Sequence, residues 1–305
     1  MDLFKIDNGR LVSVKAARVE KERLLQGLIE QNLQQAFRMR FLATEYSTGE
    51  KHAGRIDTLG IDENGTPVVI EYKRSVDANV VMQALYYLDW LVDHRAEFEK
   101  LVADKEGADA VEAVDWSAPR VVCVAESYTK FDLHAVAQMG REIELLEYTY
   151  YPDGYLILNL VSGAPQSLSK SVPTVKTLSS EKKEYTTETL LGQLGAQRAW
   201  AEDILEFASS ELGDDVTIRP LKVYIAIRTS KNFACLSGTR ESLSVTYHLD
   251  PKDPSIMSGC GNCRDITNTG AWGTGNLQLF IKSEEDVAKA KELLELAYAT
   301  RTGGA

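Results

Sequence analysis

The sequence predicts an α/β protein, a mixed sheet covered by helices and followed by a smaller α+β domain. Three observations carry that expectation. Helix and strand patterns alternate through the first half of the chain, as helix, three strands, helix, strand, helix and further strands. From Ser162 to about Thr187 the residues turn to Ser, Lys, Thr and Pro without apolar periodicity, the mark of a linker. Beyond it a second set of helix and strand patterns begins. At 305 residues the chain is too long for one small core, so domains are expected at 1–161 and 188–305, joined by a linker over 162–187.

Taken in order, Val19 to Phe37 spaces Leu25, Leu28, Ile29 and Leu33 three and four residues apart, as an amphipathic helix does. Phe41 to Thr48 is a short strand pattern. Arg55 to Asp62 alternates imperfectly, and Pro67 to Arg74 is a continuous apolar run that ends in charges. Between them Glu63-Asn64-Gly65 signals a hairpin, with Gly65 free to take a positive φ. A long helix is expected from about Asn79 to Leu101, with Val80, Ala84, Tyr87, Leu88 and Leu91 on one side. Pro119 to Ser127 is a buried-strand run, and a helix follows through Leu133 to Ile143. Two strands, Ile143 to Tyr151 and Gly154 to Val161, meet at Pro152-Asp153-Gly154. In the second domain Glu188 to Leu212 is helical, Lys222 to Gly238, Ser242 to Leu249 and Asn276 to Lys282 are strands, and Glu284 to Arg301 is a final helix.

Composition narrows the function classes. No run of about 18 apolar residues exists, so no membrane span is expected. The start, MDLFKIDNGRLVSVK, lacks a signal-peptide pattern, and four cysteines in such a chain do not make a disulfide framework; a reducing cytoplasm is the expected location. The formal net charge of −11 argues against coating nucleic acid through bulk charge. A local cationic or metal-bearing cleft remains compatible with it.

The charged end of the hairpin carries the chemistry. Side chains alternate in a strand, so Val69, Glu71 and Lys73 share one face and Ile70 and Tyr72 the other. A three-residue loop with a bulge at Gly65 pairs Asp62 with Thr66, and counting back sets Asp57 opposite Glu71. A two-residue loop would separate them. Two facing carboxylates repel unless one keeps a proton or a cation lies between them. Hard Mg²⁺ takes oxygen ligands and keeps waters, so two carboxylates and a backbone carbonyl suit it. Lys73 beside them can orient or deprotonate a water and stabilise phosphate charge. The ordinary alternative is a solvated strand end, since Glu-x-Lys alone is common.

Asp57, with Glu71-x-Lys73 following fourteen residues later across a hairpin, resembles the PD-(D/E)XK nuclease superfamily. The proline of that pattern is absent. Ile56 precedes Asp57 in a Gly-Arg-Ile-Asp form similar to archaeal and actinobacterial mismatch endonucleases and related nuclease-like proteins. The resemblance spans roughly residues 15 to 160 and implies a restriction-endonuclease-like mixed sheet flanked by helices. It also implies metal-dependent endonuclease hydrolysis of phosphodiester bonds in DNA, with Mg²⁺ or Mn²⁺ as cofactor. Asp57 and Glu71 would then be metal ligands and Lys73 would position the attacking water. Glu22, from the first helix, matches a further superfamily ligand acting directly or through water, with Glu30 as the fallback. Gln83 and Tyr87 match a Gln-x-x-x-Tyr motif that would orient a phosphate. Homodimers are common in the superfamily, but no interface is legible here.

Arg55 and Arg74, with Lys51 behind them, flank the site and are candidates for phosphate contacts. Tyr86, Tyr87 and Trp90 could stack bases, although Trp90 is expected in the core. Cys260 and Cys263 have zinc-knuckle spacing without a second pair of ligands, so a loop with Gly259 and Gly261 is expected instead. Cys123 and Cys235 are expected in the core and His94 at the surface. Gly270 to Gly275 is followed by a strand, which does not suit a phosphate loop. The second domain resembles a small domain appended to nuclease-like proteins, through Lys222 to Leu236, Trp272 to Gly275 and Leu296 to Arg301. Tyr224, Phe233 and Trp272 could line a groove there, with core packing the expected outcome. Two rivals remain: a nucleic-acid-binding or regulatory protein without turnover, and a structural protein with a salt-bridged hairpin end.

Overall fold

The computed structural model describes residues 2–74, 79–139, 141–162, 185–213, 215–257, 259–268 and 275–300. Most of the expected linker, Trp272 and residues 270–274 lie outside the described residues, as does the Lys51 side chain. The chain forms two compact units, Met1–Pro165 and Gln166–Ala305.

The first unit opens with a hairpin, β1 (Leu3–Asp7) and β2 (Arg10–Val14), turned by Asn8 and Gly9 at φ 50° and 76°. Next come α1 (Glu22–Gln31), α2 (Leu33–Phe37), β3 (Met39–Ser47), the short α3 (Gly49–His52), β4 (Arg55–Asp62) and β5 (Pro67–Lys73). They are followed by α4 (Val80–Asp93), α5 (Arg95–Glu106), β6 (Arg120–Ala125), α6 (Lys130–Gln138), β7 (Glu142–Tyr151) and β8 (Tyr155–Ser162). The strands from β3 to β8 form one six-stranded sheet in sequence order, parallel only between β5 and β6 and between β6 and β7.

Alternation along β5 divides the core. Val68, Ile70 and Tyr72 pack with Leu25, Ile29, Leu33 and Phe37 of α1 and α2. Val69 packs on the other face with Leu59, Ile61, Val121 and Cys123 under α4 and α5.

Both long helices expected from the sequence are interrupted, and a polar side chain sits at each break. Asn32 leaves helical geometry at φ −125° and its side chain donates to the Leu28 carbonyl at 2.8 Å. His94, at φ −115°, donates through Nδ1 to the Trp90 carbonyl at 2.7 Å. At Asn32 the side chain takes a carbonyl that the helix would otherwise use, while the Trp90 carbonyl accepts both the ring and the main-chain N–H of His94. The helix after β6 starts three residues earlier than expected, where Thr129 and Asp132 form a capping box.

The β4–β5 turn has the expected register. Asp62 N–H donates to the Thr66 carbonyl at 2.9 Å, and Gly65 takes φ +77°. A Cβ at Gly65 would lie 2.1 Å from the Ala113 carbonyl oxygen, so position 65 admits no side chain. Asp62 also accepts from the amides of Asn64 and Thr66 through Oδ1, and its Oδ2 meets Arg120 at 2.6 Å. Arg120 is 2% exposed and reaches Glu144 at 2.6 Å, which makes a buried ion triad linking β4, β6 and β7.

The second unit holds α7 (Thr187–Leu191), α8 (Arg198–Ser210), β9 (Thr217–Pro220), β10 (Ile225–Arg228), β11 (Asn232–Gly238) and β12 (Leu243–Tyr247). It continues with α9 (Pro254–Met257), β13 (Cys263–Asp265), β14 (Leu277–Ile281) and α10 (Glu284–Thr300). Its sheet is antiparallel in the order β13-β14-β12-β11-β10-β9, with α8 and α10 sharing one apolar core with it. Phe233 lies in that core, as expected. Cys260 and Cys263 form a disulfide rather than an unlinked loop, while Cys123 and Cys235 are buried thiols. Among the described residues no helix is long and apolar enough to cross a membrane.

Candidate active site

The β4–β5 ladder ends at Thr58 opposite Ile70, and one step further stand Asp57 and Glu71. Here the carboxylates replace the backbone ladder. Asp57 N–H donates to Glu71 Oε1 at 3.1 Å, and Tyr72 N–H donates to Asp57 Oδ2 at 3.0 Å. The other Glu71 oxygen accepts from Gln83 Nε2 at 2.8 Å, so α4 holds that carboxyl from the side.

Glu71 is fully buried. Its pKa is pushed up to about 9, first by burial and then by the Asp57 charge, against the Asp57 N–H and Lys73, which favour ionisation. Asp57 is also raised, by burial first, although the Tyr72 N–H and Lys73 pull the other way. Burial disfavours the Lys73 ammonium, but Glu22, Asp57 and Glu71 outweigh it and raise its pKa. The pair is therefore short of positive charge, and Lys73 stays protonated beside it.

Glu22 begins α1 and reaches Lys73 Nζ at 3.5 Å through one oxygen and the Arg74 N–H at 3.0 Å through the other. Among the described residues no group of three or more His, Cys, Asp and Glu side chains is gathered for a metal. The expected trio of Glu22, Asp57 and Glu71 is thus a pair, with Glu22 turned to Lys73. Glu30, the fallback, accepts from the Thr58 hydroxyl at 2.5 Å. Thr58 alternates with Asp57, and its hydroxyl also lies 3.4 Å from that of Tyr72, a member of the α1 core.

Tyr87 is 7% exposed and belongs to the core. Its hydroxyl accepts the Arg55 N–H at 3.1 Å, so it anchors the start of β4 and offers no stacking surface to nucleic acid. A Cβ at Gly54 would lie 2.6 Å from the Tyr87 ring, which explains the glycine of Gly-Arg-Ile-Asp. Arg55 pairs with Glu45, and the Arg74 guanidinium donates to the Glu20 carbonyl at 2.8 Å. Gln26 was not singled out in the sequence. It is buried and donates to the Asp57 carbonyl at 2.8 Å and to Glu30 at 3.1 Å. Its only sequence signal is a polar residue beside Leu25 on the apolar side of α1.

Fold and site together define a mixed α/β unit whose antiparallel strand pair ends in two carboxylates with a lysine alongside. Residues 189–301, in the second unit, match a family model described as a domain of unknown function, DUF5655. The whole chain is similar to a Haemophilus influenzae protein described as uncharacterized, at 27% identity over 312 residues, covering 97% of this chain and 99% of that protein. Among solved structures, a repair endonuclease from Pyrococcus abyssi matches at 26% identity over 43% of this chain with a TM-score of 0.29. The EndoMS-dsDNA2 complex matches at 23% identity over 44% of this chain with a TM-score of 0.26. The chain spans about half the length of those two structures, 49% and 47%.

Proposed function

We propose that the first unit is a metal-dependent nuclease that hydrolyses phosphodiester bonds in DNA. The observation that supports this reading is the meeting of Asp57 and Glu71 at the parted end of β4 and β5, with Lys73 beside them. The donor set fits Mg²⁺ or Mn²⁺, because the buried Glu71 and the half-buried Asp57 both have raised pKa values despite Lys73 beside them. Mg²⁺ is commonly held by one or two carboxylates and keeps its remaining waters, so a third acid is not required. Asp57 and Glu71 would hold the ion, which when bound polarises a phosphoryl oxygen and lowers the pKa of a water.

The remaining residues act through position and charge. The Lys73 ammonium orients the attacking water and offsets charge developing on phosphate. Glu22 fixes Lys73 and keeps it protonated. Gln83 sets the rotamer of Glu71, and Tyr87 holds the main chain two residues before Asp57. Arg55 and Arg74 lie at the exposed margin and can exchange their present partners for phosphate oxygens. A second reading, binding without turnover, is supported by the lack of a third acid beside Asp57 and Glu71 among the described residues.

Plasmid and oligonucleotide cleavage with Mg²⁺ or Mn²⁺ separates the two. Cleavage is expected from the wild type and a loss of more than about a hundredfold from Asp57→Ala. Metal-dependent cleavage at the wild-type rate in Asp57→Ala would refute the assignment. Binding without cleavage in either metal favours the second reading.

A further inference from the structure

Among the described residues of β4, Asp57 alone is left out of both strand registers. On β3, Thr44 pairs with Thr58 and Tyr46 with Ile56, and the ladder with β5 stops at Thr58. Glu45, which lies between those two β3 partners, takes a left-handed φ of 51°. Side chains meet both main-chain groups of Asp57. Its N–H donates to Glu71 Oε1 at 3.1 Å, and its carbonyl accepts from Gln26 Nε2 at 2.8 Å.

The Gln26 amide is held one way round. It is 5% exposed, and its Nε2 also lies 3.1 Å from Glu30 Oε1 and 3.1 Å from Thr44 Oγ1. A main-chain carbonyl only accepts, so the amide must turn its N–H groups toward Asp57. Glu30, one helical turn on, accepts from the same nitrogen and keeps that orientation. Its Oε1 also accepts from the Thr58 hydroxyl at 2.5 Å, which ties it to β4 one residue past Asp57. Glu22, Gln26 and Glu30 thus form one row along α1, each step a rise of about 6 Å. The row meets Lys73, the Asp57 carbonyl and the Thr58 hydroxyl in turn.

We propose that Gln26, oriented by Glu30, is a positioning residue that fixes the Asp57 carboxylate at the end of the β4–β5 ladder. It acts through the main chain of Asp57 and touches neither cation nor phosphate. With the carbonyl held by Gln26 and Oδ2 held by the Tyr72 N–H, Asp57 is fastened at its backbone and at its acid. Turning that peptide away would leave a buried amide without its acceptor. Glu30 is engaged in the same support, which gives it a task other than cation ligand. The reaction served by Asp57 rests on the nuclease reading; the hold on its main chain rests on the registers and bonds above.

Two measurements on the full chain test this role without requiring turnover. Amide exchange is followed in a chelating buffer, and the Kd for Mn²⁺ is read by calorimetry. Gln26→Met keeps the length of the side chain and removes its donor. It should speed exchange at Asp57 and Tyr72 by about tenfold while leaving Ile61 unchanged. It should also weaken Mn²⁺ binding by about 10–100-fold. Glu30→Ala, which removes the orienting acceptor, should weaken Mn²⁺ in the same direction. Glu30→Gln, which keeps an acceptor oxygen, should restore the Kd to within about threefold of the wild type. The two Glu30 variants decide the matter if Gln26→Met does not fold. Unchanged exchange at Asp57, or a Kd that none of the variants moves, overturns the inference. Equal losses in Glu30→Ala and Glu30→Gln overturn it too, because they make Glu30 a needed charge. Wild-type cleavage beside any of these results leaves the nuclease reading standing. Faster exchange at Asp57 with no Mn²⁺ binding by any form removes the nuclease reading and supports the hold on Asp57.

Discussion

Asp57 and Glu71 are joined across two strands by a main-chain amide of the first donating to the carboxylate of the second at 3.1 Å. The burial of Glu71, and after it the Asp57 charge at its side, makes the metal-free protein sensitive to pH. Unfolded, Glu71 ionises near its ordinary 4.5; folded, it keeps its proton to about 9. Between those values the folded state binds more protons, so stability is highest below the window and falls as pH rises through it. Thermal unfolding in a chelating buffer should show the first unit losing stability from pH 5 to pH 9. Glu71→Gln should flatten that slope, and added Mn²⁺ at pH 8 should raise the melting temperature of the wild type alone.

Lys73 depends on Glu22 for part of its charge. Among the groups that raise the Lys73 pKa, Glu22 comes first. Glu22→Gln should therefore move the alkaline limb of the cleavage pH profile to lower pH. Because Glu22 is 39% exposed, screening limits the loss of rate at neutral pH to about fivefold or less. An unmoved alkaline limb would show that the Lys73 ammonium is not the working form.

Arg120 is the least replaceable side chain at the far end of the same strands. Its removal leaves Asp62 and Glu144 buried without their shared cation. Arg120→Ala is expected to cost about 3–5 kcal/mol in urea unfolding of the first unit. A cost under about 1 kcal/mol would mean that water or another donor replaces the guanidinium.

Gly54 is small because of a neighbour, not because of its backbone. Gly54→Ala forces the Tyr87 ring aside and should destabilise the first unit by about 1–3 kcal/mol. Cleavage should fall with it, since Tyr87 holds the Arg55 amide two residues before Asp57. Tyr87→Phe, which keeps the ring and drops the hydroxyl, separates the packing effect from the hydrogen bond.

Much of this arrangement is visible in the residues themselves. The turn residue Gly65 fixes the register, and strict alternation then sets Asp57 against Glu71 and sends Tyr72 to the other face. What escaped detection depends on contacts between distant segments or on a single side-chain bond. Asn32 and His94 stand at helix breaks where each side chain bonds a carbonyl four residues back, which periodicity cannot register. Gln26 gains its role from a carbonyl 31 residues away. Tyr87 has the spacing of a phosphate-facing residue but is turned inward by the start of β4. The β1–β2 hairpin carries a strong Asn8-Gly9 turn signal, yet its Phe4, Ile6, Leu11 and Val12 are all exposed, so no burial pattern marks it as part of a core.

The two ends of the β4–β5 ribbon are built unequally. At the turn, a guanidinium clasps Asp62 and Glu144 and locks the strands to the middle of the sheet. At the opposite end the strands meet through side chains, with the Asp57 amide on Glu71 and the Tyr72 amide on Asp57. Without a bound cation the ribbon behaves like a zipper stopped at one end, and thermal fraying begins at Asp57 and Tyr72. Amide exchange should be fastest at those two positions and slow sharply toward Ile61.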